Sequence, residues 1–377
     1  MGALQKAKTG EEKREAYEAY KDTVRDVNPI DLYYVDMYKE DSDLSSEAIK
    51  ATANKFVNTF KEGLERSEVT EHDHPFFDAL LKDNTAIKDH MNGMKQLFKD
   101  DLEKHKDSVI KGFEALLKLD RKFLVKENIL FPRLEEKVPS TRPLKVMWSL
   151  HDDARAKLKA ILAHLKKKDP EIKTLKQQIG DYYYLVYGII QKEQLILFPV
   201  AIKGLDSKTM DTMYEEAFEY GFTFIERTPP EFSDKKKEGF KEGTFKSTTG
   251  TLTFKQLTLI FNHLPVDLTY VDKHDRVQFF NNKKNRHFPR SPSIIGRLVE
   301  HCHPPKSVDT VKRIVDAFKS GEKDTADFWI EFKGTFLYIR YFAIRDTEGH
   351  YEGVLEVSQD VTDIRRLEGE KRLLDWD

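Results

Sequence analysis

The chain has 377 residues, more than one compact core usually holds, so two or three domains are expected. Lys and Arg number 63 against 65 Asp and Glu, a net charge of -2 that gives no electrostatic case for nucleic acid or an anionic membrane as a partner. The one cysteine, Cys302, excludes an internal disulfide; no apolar run reaches the ~20 residues that cross a bilayer; and the N-terminus lacks a signal peptide's apolar core, so a cytoplasmic protein is expected. Charged residues make up 34% of the chain, with Lys and Glu prominent, as on a thermophile-like surface.

Residues 1–66 read as an N-terminal helical domain. Glu11 to Val27 is a charged helix that stops before Asn28-Pro29, and Asp31 to Tyr38 reads as a tyrosine-rich acidic loop. Leu44 to Leu64 is helical, with Ile49, Ala53, Phe56, Val57, Phe60 and Leu64 on one core-facing stripe.

Residues 67–227 hold four amphipathic helices. The first starts near His74-Pro75 and buries Phe77, Leu80, Leu81, Ile87, Met91 and Met94. The second runs from about Asp107 to Phe131, the third from Pro143 to Lys167, and the fourth from Glu171 to Phe198; a further helix spans Ser207 to Tyr220. The second and fourth end alike, in Lys126-Glu-Asn-Ile-Leu-Phe-Pro132 and Glu193-Gln-Leu-Ile-Leu-Phe-Pro199. Proline has no N–H and its ring clashes one turn back, so each copy marks a place where a helix is disturbed or stops. A histidine-bearing helix precedes each copy, one with His74 and the other with His151. The alternation predicts an antiparallel four-helix bundle of two similar halves, an architecture that often carries metal in its core.

Residues 228–250 concentrate Pro, Gly, Ser and Lys and read as a linker, although Gly250-Thr-Leu-Thr-Phe254 is β-friendly enough for a short strand pair. Residues 251–377 form a second domain. Val266–Val271 and Val277–Phe280 are a hairpin, followed by a short helix near Ser293–Val299 and a longer one from Ser307 to Lys319. Three strands close it, Asp327–Phe332, Thr335–Ile344 and Tyr351–Gln359, and a last helix leaves the sheet from Asp360 to Asp377.

These residues carry a resemblance. His74-Pro with Asp83-Asn84, Lys126-Glu-Asn-Ile-Leu-Phe-Pro, Lys145-Val-Met-Trp-Ser-Leu-His-Asp-Asp-Ala-Arg155, and Lys192-Glu followed by Leu-Phe-Pro199 resemble the four helices of a hemerythrin-like HHE bundle. Ile295 to Ser307 and Gln359 to Trp376 resemble a PAS segment. The whole chain resembles a prokaryotic family of unknown function that joins N-terminal helices, such a bundle and a PAS domain. The implied fold is an all-α four-helix bundle with N-terminal helices, then an α+β PAS domain with a five-stranded antiparallel sheet.

The resemblance implies a di-iron ligand pattern, and the sequence departs from it. Counting from each Leu-Phe-Pro, ligand positions fall on Lys122 and Lys126 in the second helix and on Ile189 and Glu193 in the fourth. Arg155 stands where a second third-helix histidine would be. Glu127, the neighbour of Lys126, is the carboxylate that would have to swing inward to take its place, since its side chain starts about 100° away in an ideal helix. A protonated ammonium group has no lone pair for a metal, so a lost di-iron site is expected, with a single iron or zinc ion on His74, His151 and Glu193 as the alternative.

In the PAS domain the candidate ligand contacts are His301, Cys302, His303, Phe280, Phe288, Trp329 and Tyr338. Phe328 and Phe332 share one face of their strand and Trp329 takes the other. The cofactor expectation runs from none, through iron or zinc in the bundle, to heme or another small molecule in the PAS domain. No phosphate loop, nucleophile elbow, kinase signature or HExxH motif is present, so no enzyme is expected. The expected function is sensory or regulatory: the PAS domain binds a small ligand or a protein partner, a homodimer is one assembly, and the bundle is scaffold or output. The alternative is a metal-dependent oxygen or nitric-oxide binder, or an iron-handling protein.

Overall fold

The computed structural model describes residues 9, 11, 15, 18–35, 46–99, 105–168, 170–228, 243–283 and 285–372. Expected loop residues 36–38, the start of the Leu44 helix, linker residues 229–242, the Phe56 side chain and residues 373–377 lie outside them. The chain divides into two compact units, Met1–Pro230 and Glu231–Asp377.

The first unit is all helical. From Lys21 on, the elements ahead of the bundle among the described residues are α1 (Lys21–Arg25), α2 (Asp31–Val35), α3 (Ser46–Thr59) and α4 (Lys61–Glu65). The acidic loop expected after Pro29 therefore holds a helix, whose start is fixed by Asp31 Oδ2 accepting from the Asn28 N–H at 2.8 Å. The bundle proper is α5 (Pro75–Lys99), α6 (residues 106–135), α7 (Arg142–Leu165) and α8 (Ile172–Gly204), followed by α9 (Ser207–Ala217). Pro75 and Pro143 sit in first turns, where a missing N–H costs nothing. Leu80, Ile87, Met91, Phe113, Ile161, Leu175 and Phe198 are among the bundle residues fully shielded from solvent. Val24, Tyr33, Val57, Phe60 and Leu64 belong to that same core. These described residues of the N-terminal segment therefore share the bundle's interior.

α8 is long and apolar enough to cross a membrane, although no unbroken apolar run is present. Of its most apolar window, 67% is buried inside the bundle, as expected for the core helix of such a fold.

Neither Leu-Phe-Pro copy ends its helix. Lys126–Leu130 and Glu193–Leu197 each form a π turn, and α-helix resumes at Phe131–Glu135 and Phe198–Gly204 with the proline in the first turn. The wider turn removes the clash of the proline ring with the preceding carbonyls, so the helix is disturbed without stopping.

The first described element of the second unit is an exposed hairpin, β1 (Thr244–Ser247) and β2 (Gly250–Thr253), which straddles the end of the expected linker. Then comes α10 (Phe254–His263), which the hydrophobic pattern alone did not reveal. Its signal was the capping box Thr253-x-x-Gln256, formed here in both directions. A five-stranded antiparallel sheet follows, from β3 (Asp267–Asp272), β4 (Val277–Phe280), β5 (Thr325–Phe332), β6 (Thr335–Arg345) and β7 (Tyr351–Asp360), in the order β4-β3-β7-β6-β5. α11 (Pro305–Ser320) places Val311, Val315 and Phe318 in a small core with Val271 and Val354 of the sheet. The expected terminal helix from Asp360 is absent among the described residues. Asp360 Oδ1 accepts from the Thr362 N–H at 2.8 Å, Arg365 stacks over Phe336, and only the 3-10 turn Ile364–Arg366 follows.

Candidate functional site

The two π turns meet through Lys126 and Glu193 in the bundle core, where Lys122, Glu127 and His151 are also buried, and Arg155, 29% exposed, borders the cluster. Lys122, Lys126 and Glu193 are each at most 1% exposed. The Lys126 ammonium donates to Glu193 Oε1, and the Lys122 ammonium lies 3.2 Å from Glu193 Oε2. Lys122 also donates to the Leu80 carbonyl at 3.0 Å. Burial works to raise the Glu193 carboxyl, and the Lys122 and Lys126 charges overcome it and hold it below the usual range. Burial pushes the Lys126 amine down to about 8 against the opposing pull of Glu193.

Beside this trio lies a second network. Arg155 makes a two-pronged contact with Glu127, 2.9 Å to each carboxylate oxygen, and adds Asp120 at 2.7 Å and Asp152 at 3.0 Å. Burial raises the Glu127 carboxyl to about 7 although Arg155 pulls the other way. His151 Nδ1 is 2.8 Å from Glu127 Oε1, and its ring is stacked between Phe123 (4.3 Å) and Phe131 (6.0 Å). Burial, with the neighbouring Lys126 and Arg155 charges, keeps His151 neutral.

Glu127, which starts off the ligand face in an ideal helix, does swing inward. Ideal α-helical spacing puts Lys126 and Glu127 on different faces, but the π turn widens the helix and both side chains reach the interior. Asp120 and Asp152, which complete the clamp on Arg155, had no signal of their own in the sequence.

The three residues proposed for a single ion do not converge. His74 stays at the start of α5, where its Nε2 meets Asp211 at 3.1 Å and its Nδ1 accepts from the Phe76 N–H. His151 is engaged by Glu127, and Glu193 by the two lysines. No cluster of three His, Cys, Asp or Glu suited to a metal exists among the described residues. Ile189, at another ligand position, is an ordinary buried core residue. The side chains here do not fit a pair of irons: cations stand at ligand positions, and the carboxylates that would bridge metals are already engaged by them.

In the PAS unit, strand pairing settles which face is which. Phe328 packs on Tyr341 and Phe332 on Phe288, on the side of the small core. Trp329 pairs with Tyr338 on the opposite side and is 65% exposed, while Tyr338 donates to Asp327 at the surface. Trp329 and Tyr338 are therefore removed from the set of interior contacts. Phe280 and Cys302 pack against the core, with the Cys302 thiol directed at the Leu298 carbonyl 3.6 Å away, and His301 lies 3.4 Å from Glu300. His303 is half-buried, and desolvation pushes its imidazole down to about 4; Glu356, Arg290 and Arg297 are its charged neighbours.

The inner face is more polar than the aromatic candidates suggested. Asp267 lies opposite Ser358 and Thr269 opposite Glu356, on the same side as the core pair Val271 and Val354. Arg290 reaches Glu356 at 3.5 Å, and Arg286 donates to Asn281 and Thr269. Alternation along β3 and β7 put those polar residues on one face, but only pairing shows that it is the inner one.

Comparison with known proteins agrees with this architecture. The profile of the hemerythrin HHE cation binding domain matches residues 76–201, and that of a PAS domain matches residues 257–362. No curated protein matches the chain. Among solved structures, the C-terminal domain of a Streptococcus mutans protein is similar at 37% identity, over 33% of this chain and 98% of that one, with a TM-score of 0.32. A PAS domain from Colwellia psychrerythraea is similar at 17% identity over 29% of this chain and 98% of its own, with a TM-score of 0.24. The PAS domain of Bordetella pertussis BvgS is similar at 14% over 30% and 91%, with a TM-score of 0.25. The chain therefore carries a hemerythrin HHE domain followed by a C-terminal PAS domain.

Proposed function

We propose that this is a sensory or regulatory protein. Its PAS domain takes a small polar ligand or a partner, and its bundle, without a di-iron centre, serves as scaffold or output. The observation that carries the bundle half is the placement of the Lys122 and Lys126 ammonium groups on Glu193 in the core. Those charges do for Glu193 what a metal does for a carboxylate ligand elsewhere, so the helices hold together without one. The PAS half is supported by the polar strip of Thr269, Glu356 and Ser358 on the inner face, with Arg290 and His303 beside it. Such groups orient and discriminate a ligand in a mostly apolar setting.

The test of the bundle half is metal analysis with an absorption spectrum on natively purified, anaerobically handled full-length protein. A colourless, metal-free, folded protein is expected; stoichiometric iron would sink the scaffold role and favour oxygen or nitric-oxide binding or iron handling. For the PAS half, a thermal-shift screen of small metabolites on the full chain is expected to yield a stabiliser. Arg290→Gln should lose that shift and Trp329→Ala should keep it. The reverse pattern, or no stabiliser and no captured partner, counts against an inner-face site.

A further inference from the structure

A cleft of about 640 Å³ opens in the helical unit where α3 crosses α7 and α8. Its size is that of a small-molecule site. Val57, Leu150 and Leu185 give it apolar walls, and Tyr184 and Tyr187 lie along it. Tyr184 is 71% exposed, so part of that wall is open to solvent.

Its charged groups are unevenly engaged. Lys50 is neutralised by Asp153, and Lys88 donates to Gln194 at 3.0 Å. Lys157, Glu68 and Asp181 also line the cleft. Lys192 differs from all of them. It is 7% exposed, and its ammonium donates to the Gly188 carbonyl at 3.3 Å, with no carboxylate in ion-pair reach among the described residues. A Cβ at Gly188 would lie 3.6 Å from Nζ, in ordinary van der Waals contact. Burial alone pushes the Lys192 amine down to about 8. A buried ammonium has three donors and finds one protein acceptor here, so the others point to an acceptor that the protein does not supply.

We propose that this cleft binds a small organic anion, an apolar body with a carboxylate or phosphate head, whose head sits on Lys192. The apolar walls take the body and the ammonium group takes the head. Lys192 precedes Glu193 in the chain, so an anion bound there adjoins the π turn that carries the bundle's central carboxylate. The site is independent of the PAS ligand proposed above.

The test uses calorimetry on the full chain at pH 7 with octanoate, octyl phosphate and octan-1-ol as probes. One site per chain is expected for an anionic probe, with octan-1-ol at least about tenfold weaker, the scale of one charge-assisted contact. A preference between octanoate and octyl phosphate identifies the head. Lys192→Met should weaken the anion about tenfold or more, and affinity should fall as pH rises through about 8, where Lys192 loses its proton. Tyr184→Ala, at an exposed position that puts little burden on folding, should weaken both anion and alcohol by a similar few-fold factor. Equal affinity for alcohol and anion, unchanged binding in Lys192→Met, or no anion binding up to roughly millimolar concentration would each overturn the site.

Discussion

The trio Lys122, Lys126 and Glu193 makes a prediction that depends on charge arithmetic more than on contact count. Two ammonium groups share one carboxylate at positions no more than 1% exposed. Glu193→Gln leaves both cations buried without a counterion. Removing one partner of a buried pair costs about 3–5 kcal/mol, because an uncompensated charge stays behind. For a unit of this size each kcal/mol moves the melting temperature by about 2–4 °C, so a drop of roughly 6–20 °C is expected. Lys126→Met does the opposite to the balance: it leaves Lys122 facing Glu193 at 3.2 Å, one to one, and removes the Lys122–Lys126 repulsion. Its cost should stay below about 2 kcal/mol. The assay is thermal unfolding of the full chain at pH 7, following the helical circular-dichroism signal because the two units can melt separately. A Lys126→Met loss equal to that of Glu193→Gln would refute the reasoning, and a harmless Glu193→Gln would refute it outright.

Arg155→Met should cost about 1–3 kcal/mol at pH 8 and less at pH 5, read from denaturant midpoints. Glu127 titrates at about 7 in the folded chain against an ordinary 4.5, so the folded state binds more protons in that window and stability falls as pH rises through it. Without Arg155 the ionised form is dearer still, and a loss that ignores pH would contradict the assignment. Lys192→Met should stabilise the helical unit at pH 7 by about 1–3 kcal/mol. The unfolded chain keeps the lysine proton up to about 10.5 and the folded chain up to about 8, so wild-type stability rises between those values and the variant's should not. In the PAS unit, Gly353→Ala should cost upwards of about 2 kcal/mol. The residue has a φ of 148°, and a Cβ would meet the Val271 carbonyl oxygen at 2.1 Å across the β3–β7 pair. A melting temperature unchanged in that variant would argue against this register.

Long helices and their apolar faces were readable because burial imposes a 3.6-residue period on the chain, and Leu80, Ile87 and Met91 lie in the core as that period requires. That Lys122 and Lys126 stand at ligand positions followed from counting back from Leu-Phe-Pro, while their burial comes from the structure, because helix phase counted that way can slip. The position of Glu127 did not, because ideal helical geometry fails inside a π turn, and no propensity marks where one forms. His74 carried the right residue type at a plausible place and was claimed by Asp211, a residue 137 positions away that spacing cannot reveal. Trp329 and Phe328 were separable by alternation, yet the direction of the core came only from β5–β6 pairing and the position of α11. The terminal helix failed because Asp360 and Thr362 form a local turn that competes with helix, as short polar side chains do.

A π turn is an α-helix carrying one residue more than it needs. Deleting one residue from Lys126–Leu130 would let α6 close as regular helix while the residues on either side kept their faces, because the wide turn already absorbs the extra residue. Lys122 and Phe131, nine residues apart and about 180° out of phase in an ideal helix, both reach the core because of that turn, and what the deletion would remove is the room for Lys126 and Glu127 side by side. The same holds for Glu193–Leu197 in α8. What keeps the charged interior assembled is therefore partly a matter of chain length, with one surplus residue in each half. An alignment of this chain with an uninterrupted bundle helix needs a gap at each copy; drawn without one, it would assign to Lys126 a role that the geometry shares with Glu127.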